Sequence, residues 1–155
     1  MRQLTDHVLA LLTEYNYDLR LAKQFIYDPR EELDNMQGSE DIADDSSIEV
    51  IKGLYHRYPS KVLVFPTEAC FGDCRFCFRK HIRKDTALSD DEFNRIVEYI
   101  TSTPTVDEVI FSGGDPMVIE NKKLFEMIDK IRAIPTVHII RIHTRVLTYA
   151  PERID

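Results

Sequence analysis

The sequence lacks several features that would assign it to common classes of protein. Among its 155 residues no apolar run is long enough to cross a bilayer, and the amino terminus has no signal-peptide core. It also lacks an excess of positive charge, and a formal net charge of −7 argues against a nucleic acid or an anionic membrane as the main partner. We therefore expect a globular protein with no membrane or nucleic-acid partner, and a hydrophobic content of 43% is enough to build a core.

Cysteine is absent outside one short window. All three cysteines, Cys70, Cys74 and Cys77, follow the spacing C-x3-C-x2-C. Disulfide pairing would leave one over, and clustered unpaired cysteines fit a reducing compartment, so we expect the cytoplasm. Thiolates select iron–sulfur clusters, zinc or Cu(I), and three of them on a tight loop made possible by Gly72 can reach one face of a small cluster. Three thiolates would leave one iron of that cluster open for chemistry.

Zinc is the main alternative to an iron–sulfur cluster. His81 follows Cys77 at the spacing C-x3-H and completes a possible Cys3His set. Structural zinc sites more often use two separated pairs of ligands, which this window does not offer. The favoured interpretation is therefore an iron–sulfur cluster with an open iron.

The second half of the chain alternates between short β-rich runs and amphipathic helices. Such an alternation with short connections predicts a parallel sheet with right-handed crossovers, whose ligand residues collect at the carboxyl ends of the strands. Leu124, Phe125, Ile128 and Ile131 are predicted to face the core. The predicted elements are strands at 61–66, 108–111 and 137–142, a helix after the capping box of Ser89 and Glu92, and a helix over 121–132.

The residues before the first strand are of a different kind. Residues 4–27 carry two apolar stripes at helical spacing, and the acidic, polar residues 30–49 read as a linker. We therefore expect a helical segment with its linker over 1–49 and a main domain over 50–155.

Three motifs follow the predicted strands: the cysteine loop, Ser112-Gly113-Gly114-Asp115-Pro116 and His143-Thr144-Arg145. Paired glycines after a strand let the backbone approach a ligand closely, although a plain turn is the simpler explanation for the pair alone. The basic segment 78–84 follows the cysteines. It is either a solvated basic face or an anion site in which Arg79 binds a carboxylate through two hydrogen bonds.

The cysteine motif, with aromatic Phe76 before its last cysteine, resembles the motif of the radical S-adenosylmethionine (radical SAM) superfamily. Within it, segments 53–59, 70–81, 111–116 and 141–145 are similar to motifs of the lysine 2,3-aminomutase family, which includes relatives that form β-lysine on elongation factor P. The resemblance implies an α/β fold, the N-terminal half of a partial (β/α)6 TIM-like barrel with three βα units, preceded by a small helical segment.

The resemblance also implies cofactors and roles. Cys70, Cys74 and Cys77 would hold a 4Fe–4S cluster whose fourth iron binds S-adenosylmethionine, and pyridoxal 5′-phosphate would carry the migrating amino group of lysine or a similar amino acid. The implied contacts are Phe76 to adenine, the Gly113-Gly114-Asp115 backbone to the amino group of S-adenosylmethionine, Thr144 and Arg145 to the nucleotide, Arg57 and Lys61 to the pyridoxal phosphate group, and Arg79, as the catalytic-site residue, to the substrate carboxylate.

In that family the lysine that forms the pyridoxal imine lies beyond the third strand. We therefore expect this chain to be part of a longer protein, or to need a second chain or a homo-oligomer that completes the barrel. The alternatives are a radical SAM protein of other activity without pyridoxal phosphate, and a non-catalytic remnant that binds a cluster or zinc.

Overall fold

The computed structural model describes residues 4–32, 41–80 and 86–154, which form an α/β protein. They group into two compact units: a helical unit from residues 1–43, 71–82 and 146–155, and a sheet unit from 44–70 and 83–145. No helix in the described ranges combines the length and apolar character needed to span a membrane. The α-helices are α1 Asp6–Glu14, α2 Leu19–Ala22, α3 Asp45–Ile48, α4 Asp90–Thr101, α5 Asn121–Arg132 and α6 Val146–Tyr149.

The sheet unit contains a five-stranded sheet whose spatial order follows the sequence. The last three strands are parallel, as predicted, and the first two add an antiparallel hairpin that the sequence patterns did not indicate. Ile139 and Ile142 of the last strand are exposed, so this strand is an apolar edge of the described sheet. The strands are β1 Glu49–Ile51, β2 Leu54–Tyr58, β3 Lys61–Thr67, β4 Glu108–Gly113 and β5 Ile139–Ile142.

Helices α4 and α5 supply the core that packs on this sheet. The predicted capping box begins α4, with Ser89 Oγ accepting from the Glu92 N–H at 3.2 Å and the Glu92 carboxylate accepting from the Ser89 N–H at 2.8 Å. The stripe of α5 is confirmed for Leu124 and Ile131, but Phe125 is 58% exposed, so its predicted inward position is wrong. Met127 takes the buried place because it lies three residues after Leu124 and four before Ile131, on one face of the helix.

The helical unit has its own small core. Thr5 caps α1, since its side chain accepts from the Val8 N–H at 3.3 Å. The core consists of residues from α1, from the α2 region and from the carboxyl-terminal segment, with partly buried residues of the cysteine loop packed against it: Val8, Leu12, Ala22, Phe25, Tyr149, Leu4, Leu21, Phe71 and Cys74. Segments far apart in sequence thus share one apolar cluster.

Candidate functional site

None of the three cysteines forms a disulfide, and all three are partly exposed. Cys70 belongs to the sheet unit, where it follows β3 by three residues, whereas Cys74 and Cys77 belong to the helical unit. A turn joins the latter two, in which the Cys77 N–H donates to the Cys74 carbonyl at 3.0 Å. The chemistry of this donor set, three thiols with none in a disulfide, is that of a soft metal or cluster site.

Tyr149 supports the cysteine loop within the helical unit. A Cβ added at Gly72 would lie 2.5 Å from the Tyr149 ring, so the loop needs glycine there because the aromatic ring occupies the place of a side chain. The backbone at Gly72 does not have a positive φ, since Gly53 and Gly113 are the positive-φ glycines among the described residues, so glycine is needed there for space. The Tyr149 hydroxyl donates to Cys74 Sγ at 3.4 Å.

Arg75 of the cysteine loop contacts the segment that follows α2. Its N–H donates to the Gln24 carbonyl at 3.0 Å, and its Nη2 lies 3.4 Å from Asp28 Oδ2. Hydrogen bonds from the Arg30 side chain and N–H, with a smaller contribution from the charge of Arg75, hold the pKa of the Asp28 carboxyl well below its ordinary value. Asp28 is therefore a permanent counter-charge for Arg75.

Two predicted ligand contacts lie on the more exposed part of this loop. Phe76 is 63% exposed. The Arg79 guanidinium lies over the Phe78 ring, with Cζ 4.3 Å from the centroid. That cation–π contact helps to orient Arg79.

The carboxyl ends of β3 and β4 are held together by the paired glycines. Gly113 has φ of +98°, which favours glycine, and a Cβ at Gly114 would lie 2.2 Å from the Ala69 carbonyl oxygen. The Gly114 N–H donates to the Thr67 carbonyl at 3.0 Å, and the Asp115 N–H donates to the Ala69 carbonyl at 2.8 Å. The close approach is therefore to the chain's own backbone. An ammonium group is itself a hydrogen-bond donor, so at this turn only carbonyl oxygens could accept from it.

Asp115 connects this turn to the carboxyl end of β5. Its carboxylate is buried and accepts hydrogen bonds from Thr144 Oγ1 at 2.6 Å, the Arg145 N–H at 2.8 Å and the Met117 N–H at 3.0 Å. Three donors satisfy a carboxylate that burial alone would penalise. The structure thus brings together three of the predicted site residues, Asp115, Thr144 and Arg145, in the sheet unit.

The two predicted phosphate ligands lie at the other end of the sheet. Lys61 begins β3 and Thr67 ends it, so at about 3.3 Å per residue they are roughly 20 Å apart. Lys61 Nζ lies 3.3 Å from the buried carboxylate of Glu108, and Arg141 Nε lies 3.1 Å from the same carboxylate. Arg57 is exposed on β2. The structure does not gather Arg57 and Lys61 with Asp115, and their role as phosphate ligands stays a prediction.

A cavity of about 270 Å³ in the sheet unit is lined by none of the predicted site residues. Burial, the charge of Glu49 with the hydrogen bond that it accepts, and the charge of Glu68 raise the pKa of the Tyr55 phenol above its ordinary value. Both carboxylates line the cavity, as does Lys52, whose Nζ lies 2.6 Å from Glu92.

The described residues contain no group of three or more His, Cys, Asp or Glu side chains arranged to hold a single metal ion. The thiolates of a 4Fe–4S cluster each bind a different iron atom, so their sulfurs stand farther apart than the ligands of one ion. The residue chemistry, three cysteines outside any disulfide and a hydroxyl that donates to Cys74 Sγ, fits such a cluster. His81, the fourth ligand of the zinc alternative, lies outside the described residues.

Sequence reasoning missed three residues that matter to these sites. Tyr149 supports the cysteine loop from 75 positions away, Asp28 pairs with Arg75, and Glu108 pairs with both Lys61 and Arg141. A single acidic residue before a β-rich run and a single tyrosine near the last residues carry no pattern of their own. Only the contacts that they make identify them.

The chain is similar in sequence to several curated L-lysine 2,3-aminomutases. The chain is 43% identical over 106 residues to L-lysine 2,3-aminomutase of Fusobacterium nucleatum, a match of 67% of this chain and 25% of that protein. It is 34% identical over 153 residues to L-lysine 2,3-aminomutase of Acetoanaerobium sticklandii, covering 97% of this chain and 37% of that protein. The enzyme of that name from Escherichia coli is 34% identical over 106 residues, 68% of this chain and 31% of that protein.

The chain thus spans about a quarter to two fifths of the length of the curated relatives that it matches. The sequence model described as "Radical SAM superfamily" matches residues 64–155, more than half of the chain. This match includes the cysteine motif, both glycines and the end of β5. The chain therefore belongs to the radical SAM superfamily.

Proposed function

We propose that Cys70, Cys74 and Cys77 hold a 4Fe–4S cluster and that the chain is the cluster-binding part of a cytoplasmic aminomutase-type enzyme that acts on lysine or a similar amino acid. The observation that carries the proposal is the set of three partly exposed cysteines, none of them in a disulfide, in a superfamily segment similar to L-lysine 2,3-aminomutases. When bound and reduced, a cluster with an open iron supplies the electron that cleaves S-adenosylmethionine and thereby yields a hydrogen-abstracting radical.

The protein's own part is to bind and orient. Phe76 offers an exposed ring for the adenine, and carbonyl oxygens of the Gly113–Asp115 turn accept hydrogen bonds from the ammonium group of S-adenosylmethionine. The buried Asp115 carboxylate holds Thr144 and Arg145 at the same end of the sheet, where they contact the nucleotide. Arg79, oriented by Phe78, binds the substrate carboxylate through its planar donor fork.

Fewer observations support the pyridoxal phosphate part of the proposal. Arg57 and Lys61 are cations of the type that binds a phosphate group, but the Lys61 ammonium already faces Glu108. Binding of a phosphate there requires Lys61 to be shared between two anions. We propose that the remaining pyridoxal ligands and the rest of a (β/α)6 barrel come from polypeptide other than the described residues, and that residues 1–49 are a helical segment and linker before the barrel.

Anaerobic reconstitution tests the proposal. The 155-residue chain is loaded with iron and sulfide, and both are quantified beside the variants Cys70→Ser, Cys74→Ser and Cys77→Ser. We expect about four irons and four sulfides per parent chain, with strong loss in each variant, because each thiolate ligates one iron. Reduction in the presence of S-adenosylmethionine should then release methionine and 5′-deoxyadenosine.

The result that would contradict the proposal is a parent chain that takes up zinc but neither iron nor sulfide under conditions that load an authentic aminomutase. Cleavage of S-adenosylmethionine that is unaffected by lysine and pyridoxal phosphate would favour radical chemistry of another type. A matched control is Arg79→Lys, which keeps the positive charge but loses the planar fork, and which should load the cluster normally.

A further inference from the structure

Tyr149 lies under the cysteine loop in a position fixed on several sides. Its side chain is 2% exposed, its ring meets that of Phe25 edge-on with centroids 5.5 Å apart, and Gly72 covers another part of the ring. Thr5 Oγ1 donates to the Tyr149 carbonyl at 2.6 Å, which fixes the backbone as well. The ring therefore has little freedom to turn its hydroxyl elsewhere.

That hydroxyl donates to Cys74 Sγ at 3.4 Å, within the range for a hydrogen bond to sulfur. Cys74 packs against the apolar cluster of the helical unit, so the bond forms next to apolar groups. An apolar surrounding strengthens a polar contact because little water competes with it. Packing in the apolar cluster explains why an aromatic ring lies at position 149. It does not explain why that ring carries a hydroxyl directed at the Cys74 sulfur.

We propose that Tyr149 is a positioning residue that tunes the cluster: its hydroxyl donates to the Cys74 sulfur and raises the reduction potential. The inference rests on the proposed function, since it requires that Cys74 ligates a cluster. The added electron of a reduced cluster is shared with its sulfurs, so a donor to one of them stabilises the reduced state more than the oxidised state.

The test compares Tyr149→Phe with the parent chain and with Tyr15→Phe. Tyr15 is 56% exposed beside α1, so its substitution removes a hydroxyl of the same kind away from the cysteines. Each protein is loaded anaerobically, its iron and sulfide are quantified, and the cluster is titrated with redox mediators while electron paramagnetic resonance reports the reduced state. Unfolding of each protein without metal is measured in parallel.

We expect Tyr149→Phe to load like the parent but to be harder to reduce. At the parent's midpoint potential its ratio of reduced to oxidised cluster should fall at least about threefold, which is about 30 mV at 59 mV per tenfold for one electron. Tyr15→Phe should match the parent. A merely structural role predicts a lower unfolding midpoint with an unchanged potential, and that outcome overturns the inference.

Two further outcomes are distinguishable. If the parent itself binds no cluster, the proposed function fails and the inference fails with it. If the Tyr149→Phe variant fails to retain iron, a protein with 3-fluorotyrosine at position 149 takes its place in the test. 3-Fluorotyrosine keeps the aromatic ring, and its more acidic hydroxyl is a stronger hydrogen-bond donor than that of tyrosine. The potential should then rise above that of the parent, and a potential equal to or below the parent's overturns the inference.

Discussion

The sheet unit and the helical unit are assembled from the chain in different ways. In the sheet unit each strand pairs with its neighbour in sequence, from β1 to β5. In the helical unit the contacts join stretches that are far apart, as in the hydrogen bond from Thr5 to Tyr149 across 144 positions. Repeating hydrophobic patterns indicate most of the first unit, whereas the second depends on a few contacts between distant residues. Substitutions in each unit can test this difference.

The largest effect should come from the core of the sheet unit. Phe111→Ala removes a side chain that is 0% exposed and stacks with Phe93 at a centroid distance of 6.5 Å. We expect a loss of about 3–5 kcal/mol in the free energy of unfolding, measured with urea, because a cavity remains. Phe125→Ala is the matched control and should change it by less than about 0.5 kcal/mol, since Phe125 is 58% exposed. Equal losses of stability in the two variants would contradict the assignment of Phe111 as buried and Phe125 as exposed.

Gly114→Ala should have the next largest effect. Its Cβ would lie 2.2 Å from the Ala69 carbonyl oxygen and 2.5 Å from the Glu68 carbonyl carbon, both backbone atoms that cannot move without breaking the approach of β3 to β4. We expect a loss of about 3 kcal/mol in urea unfolding. Ser112→Ala, two residues earlier near the end of β4, is the control that adds no atom. A loss below about 1 kcal/mol would show that this turn is less tightly packed than described.

Gly72→Ala tests the helical unit in the same manner, with a smaller expected effect. The new Cβ would meet the side chain of Tyr149 at 2.5 Å, and an aromatic ring can yield more than a backbone can. We expect a loss of about 1–3 kcal/mol. The penalty should shrink when Tyr149→Ala is combined with Gly72→Ala, because truncation removes the obstacle, whereas the penalty of Gly114→Ala should be the same in both backgrounds. Additive effects of Gly72→Ala and Tyr149→Ala would refute the contact.

The smallest effect concerns the start of α4 in the sheet unit. A hydrogen bond from Lys52, followed by those from Ser89, holds the pKa of the Glu92 carboxyl at about 2, below its ordinary value of 4.5. A lowered folded-state pKa contributes stability above the ordinary value, and that contribution is lost as the pH falls towards about 2. Glu92→Gln should therefore lower the urea midpoint near neutral pH and flatten its dependence on pH between these values.

The control for Glu92→Gln is Glu98→Gln, which removes a charge from the same helix away from its first turn. It should leave the slope of the urea midpoint against pH close to that of the parent. If both variants flatten the slope equally, net charge rather than the capping box determines the acid response.

Much of the sheet unit could be predicted because each element carries its own signal. The capping box of Ser89 and Glu92 and the apolar runs of β3 and β4 are local patterns, and the parallel arrangement follows from their alternation. Phe125 was misassigned because both it and Leu124 are apolar neighbours on α5, and only the position of the sheet decides which one is covered. The hairpin of β1 and β2 was missed because its strands are short and its turn carries a single glycine.

The sequence named candidate site residues but not the contacts between them. The spacing of the cysteines and the motif after β4 made Cys74 and Asp115 candidates, and their ligand roles stay predictions, but nothing in the sequence indicated that Asp115 satisfies its carboxylate with Thr144 and the Arg145 N–H. The placement of Lys61 beside Glu108 likewise depends on the register of β3 and β4.

The sequence by itself determined the α/β class, the parallel strands and a cysteine motif whose ligand chemistry is soft, because hydrophobic period and donor type are properties of short segments. Tertiary structure alone decided that an aromatic ring replaces a side chain beside Gly72 and that a phenol faces Cys74. Contacts of this kind join residues that no local pattern relates, and they form only when packing brings distant segments within a few ångströms of each other.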